Sequence, residues 1–143
     1  MIIYLDYDGT VTEHAYPSIG RCNFGCIEVI RRIQDSGHDV ILNTMRVEFR
    51  DNSLQKALEW FEKAWMLVKD RSQRDTFELK PITHTKYKIH PWPWDLDEAI
   101  KHNQLYIDDI ATGIPLKPCC MISGNMVDWD EVERQLVLKG IIK

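Results

Sequence analysis

Three short apolar runs, Ile2-Ile3-Tyr4-Leu5, Val40-Ile41-Leu42 and Leu105-Tyr106-Ile107, constrain this chain more than any other feature. They are too brief for buried helices, and their branched and aromatic side chains suit strands. Stretches with helical spacing separate them. Cys26, Ile27, Val29, Ile30 and Ile33 share one helical face, and Gly37 is well placed to end that helix as its C′ residue. A second helix is expected to start near Asn52 or Ser53, with Leu54, Ala57, Leu58, Phe61, Trp65 and Val68 on its apolar side. Asp95–His102 reads as a short helix. The last helix has the clearest start, with Asp128 as N-cap, Glu131 at N3, and Val127 and Val132 placed for a hydrophobic staple. Strands alternating with helices predict an α/β fold with a central, mainly parallel sheet flanked by helices.

Weaker signals fill the gaps. Phe77–Thr83 reads as a third strand, at an edge because Pro81 lacks an N–H. A short strand is expected near Cys120–Ile122. Lys69–Asp75 reads as an exposed connection, and His90-Pro91-Trp92-Pro93-Trp94 as a stiff loop. The tryptophans of that loop could stack on a ligand, but packing is the commoner use.

The first run ends in Asp6-Tyr7-Asp8-Gly9-Thr10-Val11-Thr12. Side chains alternate along a strand, so Asp6 and Asp8 project to the same side as the chain leaves the sheet. Adjacent carboxylates repel, and a divalent cation is the usual compensation. Gly9 permits a tight turn, while Thr10 and Thr12 offer hydroxyls to an anion. Taken alone, the stretch is equally an acidic surface turn. In a parallel sheet, however, ligands sit beyond the carboxyl ends of the strands. The second run leads into Asn43-Thr44-Met45-Arg46, the third-strand candidate into His84-Thr85-Lys86, and the Leu105 run into Asp108-Asp109. Collected at one edge, these residues can hold a magnesium ion and a phosphate together.

These motifs resemble those of the haloacid dehalogenase-like (HAD) phosphohydrolases. The family's first motif, an apolar strand followed by Asp-x-Asp-Gly-Thr, is matched by Asp6-Tyr7-Asp8-Gly9-Thr10. Its second, a strand ending in Thr or Ser, is matched by Val40-Ile41-Leu42-Asn43-Thr44, and its fourth, an acidic pair, by Asp108-Asp109. The third motif is a lone lysine. Lys86 is preferred, with Lys80 and Lys88 as rivals.

The resemblance implies a three-layer, Rossmann-like fold and a magnesium-dependent phosphatase acting on phosphomonoesters. Asp6 would be the nucleophile that forms an aspartyl-phosphate, and Asp8 the general acid and base. Magnesium would be held by Asp6, the Asp8 carbonyl and Asp108, with Asp109 in support. Thr44, Lys86 and the segment around Gly9 and Thr10 would bind the phosphoryl oxygens, and Arg46 is a candidate substrate contact. Only about fifteen residues, Glu13 to Cys26, separate the first motif from the first helix, which implies a member without a cap domain.

Length suits one domain over residues 1–143, and a formal net charge of -4 gives no electrostatic reason to expect nucleic acid or membrane binding. A phosphorylated small molecule is the expected substrate, with homo-oligomers an open matter. No apolar run reaches membrane-span length and no basic leader precedes the first strand, so a cytoplasmic location is the expectation. Cys22, Cys26, Cys119 and Cys120 do not match common zinc spacing and read as reduced thiols. Two other readings stay in play: a non-catalytic phosphate- or metal-binding module on the same fold, and a nucleic-acid end phosphatase.

Overall fold

A computed structural model describes residues 1–68, 79–119 and 122–143, apart from the Trp65 side chain. The first apolar run forms β1 (Ile2–Leu5). It pairs in parallel with β2 (Asp39–Leu42) on one side and with β4 (Gln104–Ile107) on the other. A two-residue β3 (Thr83–His84) adds to the far edge of β2, giving a parallel four-stranded sheet in the order β3-β2-β1-β4. Between the strands run α1 (Cys26–Asp35), α2 (Ser53–Glu62) and α3 (Leu96–His102), and α4 (Trp129–Leu138) closes the chain. The fold is therefore α/β with a central parallel sheet flanked by helices, compatible with a Rossmann-like arrangement. No helix among the described residues is long and apolar enough to cross a membrane.

The alternation of side chains decides which sheet face makes the core. Ile3, Leu5, Val40, Leu42, Leu105 and Ile107 join Ile27, Ile30 and Ile33 of α1 and Val132 and Leu136 of α4 in one buried cluster. Each such side chain contributes about 2 kcal/mol when removed from water. On the opposite face Tyr4 stacks on Tyr106, with ring centroids 4.8 Å apart. Helix ends follow the capping chemistry. Asp95 and Asp128 each accept from the backbone N–H three residues on, Glu98 and Glu131 respectively. Gly37, at φ 91°, takes the left-handed C′ conformation after α1.

Three expectations differ from what is observed. The apolar spacing after Ser53 does not stay one helix: α2 ends at Glu62, and Ala64–Leu67 forms a 3₁₀ turn. Val68 is nonetheless buried, while Trp65 as a member of that face lies outside the described side chains. The third strand shrinks to Thr83–His84. Pro81 has no N–H to give, and the Lys80 N–H goes instead to the Gln34 side chain at 3.0 Å; Phe77, Glu78 and the proposed Lys69–Asp75 connection fall outside the described residues. The expected strand near Cys120–Ile122 is absent at Ile122, while Cys120 and Met121 lie outside the described residues. An antiparallel hairpin flanks that position instead, with β5 (Leu116–Pro118) pairing β6 (Asn125–Val127). Its strands are too short to show an alternating pattern.

A polar seam ties this hairpin to the loop after β1. The buried Asn23 amide donates to Thr10 O at 2.8 Å and to Val127 O at 2.7 Å. The Trp129 indole N–H also reaches Thr10 O, at 2.7 Å, and the Val127 N–H reaches Gly9 O at 3.0 Å. Removing one partner from such a buried set exposes the others to an unmet desolvation cost. Asn23→Ala is expected to lower the unfolding free energy by about 2 kcal/mol, read as a fall in the urea midpoint with an unchanged m-value.

Candidate functional site

The register of the sheet places the site. Leu5 is level with Leu42 on one side and with Ile107 on the other. Asp6, Asn43 and Asp108 therefore leave the sheet at one height, and the ladder carries on through Asp6 N–H to Ile107 O (2.9 Å) and Asn43 N–H to Leu5 O (2.7 Å). Carboxylate oxygens of Asp6, Asp108 and Asp109 converge within 4.8 Å of one another. They line a cavity of about 310 Å³ together with Asp8, Thr44 and Arg46. Residues separated by about a hundred positions thus meet at one point.

Each carboxylate is oriented by a neighbour. The Thr10 hydroxyl donates to Asp6 Oδ2 at 3.1 Å. Asp108 Oδ1 accepts the Ile110 N–H at 3.0 Å, a local turn that fixes its direction. Asp109 Oδ2 lies 3.2 Å from His14 Nε2, which is equally close to Asn125 O. Crowding of this kind has an electrostatic consequence. Burial, then the charges of Asp108 and Asp109, push the Asp6 carboxyl well above its ordinary range. Burial raises Asp108 to about 7, opposed by the Ile110 N–H and assisted by Asp109.

Asp8 is held differently. Both its oxygens accept from Arg46, at 2.9 Å from Nε and 2.7 Å from Nη2. The guanidinium is almost wholly buried, and its remaining N–H groups reach the carbonyls of Ser18 (2.8 Å), Ser53 (3.1 Å) and Pro17 (3.5 Å). All five donors of this arginine are thereby used inside the protein. Arg46 lies at the site, as expected of a substrate contact, but it spends its N–H groups on Asp8 and the surrounding chain.

The other candidates are placed as follows. Thr44 is buried on the cavity wall, and its oxygen caps the next turn by accepting the Arg46 N–H at 3.2 Å, so the hydroxyl proton stays available to an anion. Gly9 and Thr10 lie in the loop, where their N–H groups bond to Thr12 O (2.9 Å) and Tyr7 O (3.1 Å). Lys86 is exposed and is not among the described residues lining the cavity. Neither rival replaces it: Lys80 Nζ donates to Gln34 O at 3.3 Å, and Lys88 Nζ sits 4.8 Å from the Tyr4 ring centre. The next residue after Lys86, Tyr87, faces the cavity instead. Trp92 packs near His102 and Tyr106, and the Trp94 indole donates to Gln135, so the stiff loop is packed away from the site. Cys22, Cys26 and Cys119 are reduced thiols, with the first two sulfurs 3.6 Å apart.

His14, Tyr16, Phe49 and Tyr87 are cavity residues that motif spacing did not single out. One signal for His14 existed in Gly9. At φ +77° that glycine sits where a Cβ would run into the His14 ring and lie 2.8 Å from Asp109 Oδ2.

Comparisons with known proteins bear on the fold. No protein-family model matches the chain, and no curated protein matches it. A solved structure of a conserved protein from Bacteroides thetaiotaomicron superposes with a TM-score of 0.56 at 23% sequence identity, covering 97% of this chain and 91% of that one.

Two outcomes test this geometry. Because Asp108 holds its proton to about 7 in the folded state against an ordinary 3.8, the native protein binds more protons than the unfolded chain between those values. Stability in chelator is therefore expected to fall as pH rises through that window, as read by urea unfolding. Gly9→Ala should cost about 1 kcal/mol through its left-handed backbone alone. By displacing His14 and Asp109 it should also weaken any divalent-cation binding at this cluster, as read by calorimetry.

Proposed function

We propose that the chain is a magnesium-dependent phosphohydrolase of HAD type, lacking a cap domain and cleaving phosphomonoesters through an aspartyl-phosphate on Asp6. The observation that carries this reading is the convergence of Asp6, Asp108 and Asp109 beside Asp8 and Thr44 in one cavity at the carboxyl end of the sheet. The donor set fits a hard divalent cation: three carboxylates crowd one point, the charges of Asp108 and Asp109 help raise the proton affinity of Asp6, and oxygen ligands suit magnesium. Asp6 and Asp108 would hold it, with Asp109 in support. When bound, the ion offsets negative charge on the phosphoryl group and so lets a carboxylate approach it.

This chain's own residues supply the rest. The oxygen of Asp6 attacks phosphorus, and the bond from phosphorus to the ester oxygen breaks. Asp8 gives its carboxyl proton to the departing oxygen, then takes a proton from the water that attacks phosphorus and frees Asp6. Each Asp8 oxygen keeps a second lone pair beyond the Arg46 bond, and it is there that a proton would be taken up and handed on. Arg46 thus acts as a positioning residue, fixing the direction of the acid. Thr44 donates its hydroxyl proton to a phosphoryl oxygen. Lys86 is assigned no step.

A second reading, binding without turnover, draws support from the same Arg46–Asp8 pair, since a carboxylate tied at both oxygens can be purely structural. Phosphate release from a panel of phosphomonoesters, with and without magnesium, separates the two. Turnover is expected only with magnesium and is expected to vanish in Asp6→Asn. Asp8→Asn, with its fold checked by circular dichroism, should slow release by about 10²–10⁴-fold while leaving magnesium affinity nearly unchanged. Absence of magnesium-dependent turnover across the panel would sink the hydrolase reading.

A further inference from the structure

The outer half of the cavity is built of different material from its floor. Tyr16, Met45, Phe49, Tyr87 and Ile110 line the same cavity as the carboxylates. Four of them leave much of their surface in water: Tyr16 43%, Met45 52%, Phe49 39% and Ile110 61%. Exposed apolar side chains scattered singly need no explanation, but four around one opening do. We propose that this rim recognises the leaving group, so that the favoured substrates are monophosphates of a flat, carbon-rich, uncharged alcohol or phenol. The proposal rests on the phosphohydrolase reading and narrows it to a substrate class.

The rim is preorganised. The Tyr16 hydroxyl donates to Asp51 at 2.7 Å, and its ring lies 5.3 Å from the Arg46 guanidinium, which is itself immobilised. Phe49 packs on Tyr16 with ring centres 4.9 Å apart and planes tilted by 36°. A ring already held from two sides loses little conformational freedom when a ligand stacks on it. The hydroxyl of Tyr16 is committed to Asp51, so this wall presents a face rather than a polar partner for sugar hydroxyls.

Charge excludes the alternatives. Four aspartates line the cavity, and Arg46 supplies the one guanidinium or ammonium group among the described lining residues. Its donors are all used. A second phosphate or a carboxylate on the leaving group would meet like charge with no guanidinium or ammonium group left free among the described lining residues to receive it. The volume of about 310 Å³ also sits at the small end of ligand sites, which run from about 300 to 1,000 Å³.

The test compares esters whose leaving alcohols have similar acidity, so that differences report recognition and not leaving-group chemistry. With magnesium present, benzyl phosphate is expected to exceed glycerol 3-phosphate in kcat/KM by at least about tenfold, mostly through KM. Nucleoside diphosphates are expected to be poorer still. Phe49→Ala should lose about tenfold more on benzyl phosphate than on glycerol 3-phosphate, and Phe49→Trp should retain the preference. Binding gives an independent readout: calorimetry on Asp6→Asn should find benzylphosphonate bound at least about tenfold more tightly than methylphosphonate. Equal turnover of all monoesters would overturn the substrate class and leave the hydrolase reading standing. Tighter benzylphosphonate binding with no turnover of any ester would support the rim and overturn the hydrolase. Neither turnover nor phosphonate binding would overturn both.

Discussion

Like-charge repulsion among Asp6, Asp108 and Asp109 is opposed by the parallel ladder, which fixes where Asp6 and Asp108 leave the sheet. Leu5, Leu42 and Ile107 lie level across three strands, and the next residue in each strand must emerge at the same edge. Burial of those strand ends in the core is worth several side chains' hydrophobic stabilisation. It opposes the cost of holding carboxylates together. Burial first, and the neighbouring Asp109 charge after it, appear as a raised proton affinity, with Asp108 near 7. A cation removes the same cost by another route, which is why the fold and the proposed chemistry depend on one cluster.

Around that cluster the support is mostly backbone. The loop after β1 folds on itself through Gly9, Thr10 and Val11 N–H bonds, and is tied from outside by Asn23 and Trp129. The Thr10 hydroxyl is in turn spent on holding a carboxylate, that of Asp6. The cavity thus joins acidic and apolar lining, the two surfaces that the proposed function assigns to the two halves of a phosphate ester.

Much of this was legible in the residues themselves, for reasons that can be named. β1, β2 and β4 declared themselves because each buries one complete face, and α1 and α4 because their apolar stripe and caps agree. The convergence of Asp6 with Asp108 and Asp109 followed from parallel-sheet geometry alone. What escaped was set by tertiary partners. Gln34 takes the Lys80 N–H and helps reduce β3 to two residues, which no local pattern reveals. The choice between Lys86 and Tyr87 as the residue facing the cavity depends on the direction of an irregular segment, where neither periodicity applies. His14 and Phe49 reach the site from loops whose paths have no period. Arg46 was recognised as near the site, but that it would spend every donor on Asp8 and three carbonyls required coordinates.

The buried guanidinium carries a consequence for how such a chain can change over generations. An arginine sealed from water and matched by one carboxylate cannot lose that partner without stranding a charge, and it cannot become lysine without forfeiting the two-pronged fit. Any lineage that drifted away from the acid at position 8 would need a compensating replacement at position 46 almost at once. Asp8 is therefore anchored by foldability as well as by its proposed chemistry, and a descendant that had abandoned catalysis would be expected to keep the pair.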